Sequence, residues 1–271
     1  MAQEKIQCTV QVLTLNSGNS LKKCLESLKN FTEIIILDGN STDNTLEIAK
    51  KYTNKIYPQS DSKEKSIVIK DFSKVRNHGL ELASYDWFLF IDSDEYLSKE
   101  AAVEIRGIVG RGKENKYFIY NLPRKYVFRG KVLERVKPSY QPRFFYRPAT
   151  MGFRKRVHEI IVPKEGYDIG VLKHPEFVPL EDIKSLRKKW KNYLDIEQDR
   201  MHAITLGIFI KKTKSNIIKF IKYFVKMILN AIFKPGIGMP IKYEFYNALY
   251  HLQIIYRLFI NLIRNIFHKS S

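Results

Sequence analysis

Cysteine is nearly absent: Cys8 and Cys24 are the two in 271 residues, and neither belongs to a Cys-x-x-Cys or Cys/His cluster. That pattern argues against a disulfide framework and a zinc site, and it suits a reducing compartment. Acidic residues are scarce as well, 28 against 47 Lys and Arg, which leaves a formal net charge of +19. Such an excess draws a chain toward nucleic acid, lipid headgroups or phosphorylated ligands, without choosing among them. No stretch supplies the roughly 20 uninterrupted apolar residues of a membrane-spanning helix. The opening residues run straight into an apolar strand and lack the basic start and long apolar core of an export signal. A cytoplasmic protein is therefore expected, with one core-forming domain and no second independent globular unit.

Short apolar runs are what the chain does have, and each is followed by a polar cluster. Thr9 to Leu15 reads as a strand, Asn16 to Ser20 as a turn, and Leu21, Cys24, Leu25 and Leu28 as one buried helix face. Ile34 to Leu37 is a strand covered on both faces, and a helix is expected from about Asn44 to Lys51. A third helix from Phe72 to Ala83 leads to the apolar strand Trp87 to Ile91. Alternating strand and helix predict an α/β domain with a largely parallel sheet. In such sheets ligands collect beyond the carboxyl ends of the strands, where Thr14–Asn16, Asp38–Asp43 and Asp92–Glu95 all fall. Residues from Tyr117 to Ile161 are aromatic and basic with scattered prolines, and predict shorter strands and loops.

The chain changes character near residue 204, which divides it into an expected domain over 1–203 and a helical tail over 204–271. Between Ser215 and Phe233, Lys219, Lys222 and Lys226 share one side of a helix with Tyr223 and Asn230, while Phe220, Ile221, Phe224, Val225, Ile228 and Ile232 fill the other. A second helix beyond Pro240 carries the polar stripe Tyr250, Gln253, Arg257, Asn261, Arg264 and His268. Such helices suit the plane of an anionic membrane surface, with the lysines among headgroups.

In Asp92-Ser93-Asp94-Glu95, strand alternation sends Asp92 and Asp94 to the same side, where two carboxylates can share a Mg²⁺ or Mn²⁺ ion bridging to a diphosphate. Asp38, at a strand end before Gly39, is placed to accept from a nucleotide base edge, whereas Ser41 or Asp43 suits a helix cap. Arg76 stands where a helix can aim a guanidinium at phosphates.

Taken together, the TLN-type first loop, DGNSTDNT, RNHGLELA, WFLFIDSDE and RVHE resemble the inverting glycosyltransferases of family 2, in that family's order. The resemblance implies a GT-A fold, a nucleotide-sugar donor of UDP type, a Mn²⁺ or Mg²⁺ ion, and hexosyl or heptosyl transfer with inversion. Position by position it implies nucleotide contacts at Thr14 and Asp38, nucleotide or diphosphate contact at Arg76, and sugar-diphosphate and metal contacts at Asp92 and Asp94. Glu159 matches the acidic position after a histidine and is the implied base, with His158 positioning it or the acceptor; an ion pair with Arg154, Lys155 or Arg156 is the structural alternative. LKHPEF, KKWKNY and KPGIGMP are similar to the subgroup that builds bacterial lipopolysaccharide core, which implies a lipid-linked or surface-glycan acceptor, a peripheral seat on the cytoplasmic membrane face, and His174 as a third metal or diphosphate contact, with a buried, hydrogen-bonded histidine as the alternative. A non-catalytic glycan- or nucleic-acid-binding protein on the same fold is the rival reading. It leaves the aligned carboxylates unexplained, and no nucleic-acid partner is expected.

Overall fold

A computed structural model describes residues 4–156, 159–199, 205–232 and 237–267. The first half runs β1 (Ile6–Thr14), α1 (Leu21–Leu28), β2 (Phe31–Asp38), α2 (Thr45–Ala49), β3 (Ile56–Pro58), α3 (Phe72–Leu82), β4 (Trp87–Asp92), β5 (Tyr96–Leu97) and α4 (Lys99–Arg111). It continues through β6 (Ile119–Phe128), β7 (Lys131–Val132), β8 (Ser139–Tyr146), β9 (Thr150–Arg154), β10 (Ile160–Pro163), β11 (Ile169–Val171) and β12 (Glu176–Pro179). Three helices follow, α5 (Ile183–Asp199), α6 (Leu206–Ile232) and α7 (Ile241–Phe267). The chain divides into two compact units, residues 1–127 with 137–179, and residues 128–136 with 180–271.

In the first unit the main sheet has the order β3-β2-β1-β4-β8-β6-β12-β5. The β3-β2-β1-β4 part is wholly parallel, as the strand and helix alternation predicts. From β8 onward the sheet is mixed: β8 runs antiparallel to both β4 and β6, β12 is parallel to β6, and β5 is antiparallel to β12. The short strands expected between residues 117 and 161 are in part long ones. β6 has 10 residues and β8 has 8, and aromatic pairs join β8 to both neighbours: Tyr120 of β6 stacks on Phe144 at 5.7 Å, and Trp87 of β4 stacks on the same ring at 4.8 Å.

Strand alternation sorts the core. Cys8, Val10 and Val12 of β1 join Ile34, Ile36, Leu89 and Ile91 beneath α1 and α4, while Leu13, Ile35 and Leu37 meet Val75 of α3 on the other face. On that second face β1 also buries Gln11, whose Nε2 donates to the Val75 carbonyl at 3.2 Å. Gly79 makes room for it: a Cβ there would fall 1.9 Å from Gln11 Nε2. Two helices start at side-chain caps, Asp71 accepting from Lys74 N for α3 and Ser98 from Ala101 N for α4, whereas Ser20 of α1 and Asn44 of α2 make no such bond.

In the second unit α6 and α7 form an antiparallel hairpin, shown by the Asn216–His251 hydrogen bond at 2.8 Å and the Asn230 Nδ2 donation to Met239 O at 3.5 Å nearer the turn. The helix predicted from residue 215 begins at Leu206. α5 packs on α7 through Arg257–Asp195, at 2.8 Å, and through Trp190 and Tyr250.

Candidate active site

Register places the three polar strand ends side by side. Thr14 lies opposite Asp38, and Leu13 lies opposite Asp92. Thr14 Oγ1 donates to Asp38 Oδ1 at 2.7 Å, Ser41 Oγ donates to the same oxygen at 2.6 Å, and Ser41 N donates to Oδ2 at 2.7 Å. Asp38 is thus buried and held by its own loop. Gly39 serves that packing too, since a Cβ there would stand 2.7 Å from the Ile67 carbonyl and 3.1 Å from Gln59 Oε1.

The loops are sewn to one another. Asn16, at a positive φ of 49° that asparagine tolerates, donates through its backbone N to Ser41 Oγ and accepts from Thr42 N at its side chain, each at 2.8 Å. Asp43 accepts from Gly18 N at 2.9 Å and from Thr45 N at 3.0 Å, an Asx turn leading into α2, whose N-cap residue is Asn44. Ser17 Oγ meets Ser93 Oγ at 2.8 Å, which ties the DSDE turn to the first loop.

Arg76, Asp92 and Glu159 come together as a chain of charge. Arg76 reaches from α3 with its side chain 1% exposed, donating from Nη2 to Asp92 Oδ1 at 2.5 Å and from Nε to Glu159 Oε1 at 3.4 Å. Its guanidinium also lies over Phe90 at 4.6 Å. Nη1 is buried without a hydrogen-bond partner among the described residues, so an oxygen from a ligand would satisfy it. Glu159 therefore pairs with Arg76, whereas Arg156 faces Asp71 at 3.7 Å. His158, the other residue implied at the acceptor side, lies outside the described residues.

Behind Asp92 stands a set of buried charges that the motifs do not reveal. Arg143 of β8 donates from Nη2 to Asp92 Oδ2 at 3.0 Å, and it faces Glu95 at 3.1 Å and Glu176 at 3.6 Å. Arg124 of β6, directly opposite Glu176 of β12 in register, donates to Glu176 at 2.8 Å and also pairs with Glu95. Burial works against ionisation of Asp92, but the Arg143 and Arg76 guanidiniums outweigh it and hold the carboxyl well below the usual carboxylate range. Glu176 is fully enclosed, and burial pushes it up to about 8, against the pull of Arg143. A charged residue in a strand just before Phe144 and Phe145 was the available signal for a buried arginine.

The donor set bears on the expected metal. Both Asp92 oxygens already face guanidinium groups, while Asp94 is exposed at the mouth of the site. Mg²⁺ and Mn²⁺ keep water ligands and settle for one or two carboxylates plus phosphate oxygens, which Asp94 and a diphosphate would supply. Among the described residues no group of three or more His, Cys, Asp and Glu side chains is placed to hold a metal. His174 is accordingly not gathered with the two aspartates: it lies between β11 and β12, where its backbone N donates to Glu104 of α4 at 3.0 Å.

These strand-end loops sit where open α/β sheets bind nucleotides, and the family model for Glycosyl transferase family 2 matches residues 9–159, the span from β1 through Glu159. The chain belongs to that family, and its mixed α/β sheet is GT-A-like. Among known proteins it is 40% identical over 93 residues to the SPbeta prophage-derived glycosyltransferase SunS of Bacillus subtilis, covering 34% of this chain and 21% of SunS. It is 27% identical over 179 residues to the poly(ribitol-phosphate) beta-N-acetylglucosaminyltransferase TarS of Staphylococcus aureus, covering 58% of this chain and 30% of TarS. A crystal structure of S. aureus TarS 1-349 in complex with UDP aligns with a TM-score of 0.48 at 18% identity, over 98% of this chain and 92% of that one. The chain spans about a fifth to a third of the length of these two curated relatives.

Proposed function

We propose that this chain transfers a sugar, with inversion, from a UDP-type nucleotide sugar to a hydroxyl of a surface glycan or its lipid-linked precursor, at the cytoplasmic face of the membrane. The observation that carries the reading is the bridge Glu159–Arg76–Asp92, in which one guanidinium holds the acidic residue of the RVHE motif and the first aspartate of the DSD turn. An inverting transfer needs a single base on the acceptor side and charge stabilisation on the diphosphate side. In this reading Glu159 takes the proton of the attacking hydroxyl, and Arg76 orients it. The Thr14, Asp38 and Ser41 cluster receives the nucleoside. Asp94 would hold a Mg²⁺ or Mn²⁺ ion, which when bound neutralises charge on the departing diphosphate. Asp92, fixed by two arginines, frames the diphosphate side of the pocket. The acceptor reading is supported by the name of TarS, which acts on poly(ribitol-phosphate), and by the +19 net charge, which favours anionic polymers and headgroups. Lipopolysaccharide core is the acceptor class that the LKHPEF and KPGIGMP segments favour.

A screen of nucleotide sugars for release of nucleoside diphosphate, with and without lipid-linked and polyol-phosphate acceptors, tests the proposal. Release with one donor, accelerated by one acceptor class, is the expected result. Silence with every donor, from protein that still binds UDP, would support a glycan-binding protein on this fold.

A further inference from the structure

The candidate active site uses the carboxyl ends of β1, β2 and β4. In a parallel sheet the loops that lead from helix into strand gather at the opposite, amino ends, roughly 25–30 Å away for strands of this length. Here those loops bring lysines together. Lys5 precedes β1, Lys29 caps the end of α1 before β2, and Lys51 and Lys55 lie between α2 and β3. With Tyr52, and with Ser84 and Tyr85 ahead of β4, they line a groove of about 490 Å³.

The carboxylate in that lining is already engaged. Ser84 donates to Glu33 from N at 2.9 Å and from Oγ at 2.6 Å, Thr9 and Lys55 bond it as well, and its side chain is 3% exposed. Lys55 and Glu33 therefore cancel. Lys5, Lys29 and Lys51 are exposed and, among the described residues, belong to no ion pair. Glu26, close by, accepts from the Tyr52 hydroxyl at 2.5 Å. The carbonyl end of α1 beside Lys29 carries about half a negative charge at most, which three ammonium groups outweigh. Cations from separate loops around one hollow repel one another, and an anion between them relieves that repulsion. The groove is also formed in advance: in the turn after α2, Tyr52 N donates to Ala49 O at 3.0 Å and Thr53 Oγ1 to Ile34 O at 2.7 Å.

We propose that this groove binds a phosphate ester of a sugar or polyol, with Lys5, Lys29 and Lys51 at the phosphate and Tyr52 and Tyr85 beside the carbon skeleton. A phosphate monoester offers up to two charges and three acceptor oxygens to three ammonium groups, where a carboxylate offers one charge. The volume falls in the range of small-molecule sites and leaves room for what the phosphate esterifies. Tyrosine gives such a skeleton a flat apolar face with a polar tip. The inference does not depend on sugar transfer.

Calorimetric titration of the full chain at low salt with glucose 6-phosphate, inorganic phosphate and glucose tests it. Glucose 6-phosphate should bind most tightly, inorganic phosphate less tightly and glucose not at all, and the affinity should fall as salt rises. Changing Lys5, Lys29 and Lys51 together to Ser should weaken binding on the order of a hundredfold, with circular dichroism confirming the fold. Changing Lys219, Lys222 and Lys226 to Ser removes the same charge from outside the groove lining and should leave binding unchanged. Tyr85→Ala should erase the preference for the sugar ester over inorganic phosphate. Equal loss in both lysine triples would reduce the contact to net charge and overturn the site. Binding that survives the groove triple and is displaced by UDP would place the phosphate at the candidate active site instead. Equal affinity for glucose 6-phosphate and inorganic phosphate in wild type would overturn the ester, and tighter binding of a single-stranded oligonucleotide that the groove triple abolishes would assign the groove to nucleic acid.

Discussion

In the sheet unit, apolar side chains of β1, β2 and β4 are sealed between α1 and α4 on one face and α3 on the other, and polar groups gather at the strand ends and around Arg143. In the hairpin of α6 and α7 the buried groups are mixed, Asn216, His251 and Glu244 beside Ala248 and Leu258, the last packed by Phe209 and Ile254, and many large apolar side chains are exposed. The difference teaches how each region is matched to its surroundings. Charges buried beside the sheet sit in pairs and triplets, so their desolvation is repaid by ion pairs with defined geometry. In the hairpin Asn216 donates to Lys212 O and bonds the His251 imidazole, on which Tyr223 stacks, so its buried polar groups are met by neutral partners.

The contrast is broken most sharply by changing the charges of the sheet unit. Glu159→Gln should keep the fold and donor binding while losing roughly two to four orders of magnitude in transfer, the usual scale for a general base; single-turnover kinetics beside donor titration separates the two. Normal transfer in that variant would make Glu159 a structural partner of Arg76. Arg143→Gln leaves Asp92 and Glu95 without a shared cation and should cost about 3–5 kcal/mol of stability, read by urea unfolding. An equivalent loss is not expected from Arg154 or Lys155, which lie outside this network.

Glu176→Gln sharpens the same point through pH. A carboxyl whose folded value is raised from 4.5 to about 8 binds a proton that the unfolded chain has lost, so the wild type loses stability as pH rises across that window. Glu176→Gln should therefore match wild type near pH 4 and gain on it up to about pH 8, a divergence that thermal melts at several pH values would display; parallel curves would mean that Glu176 is ionised in the fold. The smallest effect belongs to the hairpin. Burial, helped by Lys219, lowers His251 below its ordinary 6.5, so its contribution is present above that value and is lost as pH falls. Asn216→Ala should cost about 1 kcal/mol at pH 8, the scale of one neutral hydrogen bond, which melts in the absence of lipid would measure.

Much of the sheet unit was legible because its signals are local. Ile34 to Leu37 and Trp87 to Ile91 are unbroken apolar runs, and the turn residues after them mark where the strands end, so the neighbourhood of Thr14, Asp38 and Asp92 follows from topology alone. Arg124, Arg143 and Glu176 were not legible in the same way. They come from β6, β8 and β12, and only the pairing of distant strands brings them behind Asp92. In the tail the period of the helices was clear, but a single helical wheel divides a surface into two sides and the hairpin uses three. Tyr223 and Asn230, read with the lysines, turn inward, and Phe220, read as facing lipid, is half-buried beside Phe224 at 5.9 Å.

The central claim is that the loops at the carboxyl ends of β1, β2 and β4 form a metal-assisted nucleoside-diphosphate site. Calorimetric titration of UDP into wild type and Asp94→Ala, with Mn²⁺ and with excess chelator, tests it directly. The account predicts that Mn²⁺ strengthens UDP binding to wild type and that Asp94→Ala loses that gain while retaining the fold. Equal affinity in all four titrations, or tighter binding in chelator, would contradict it.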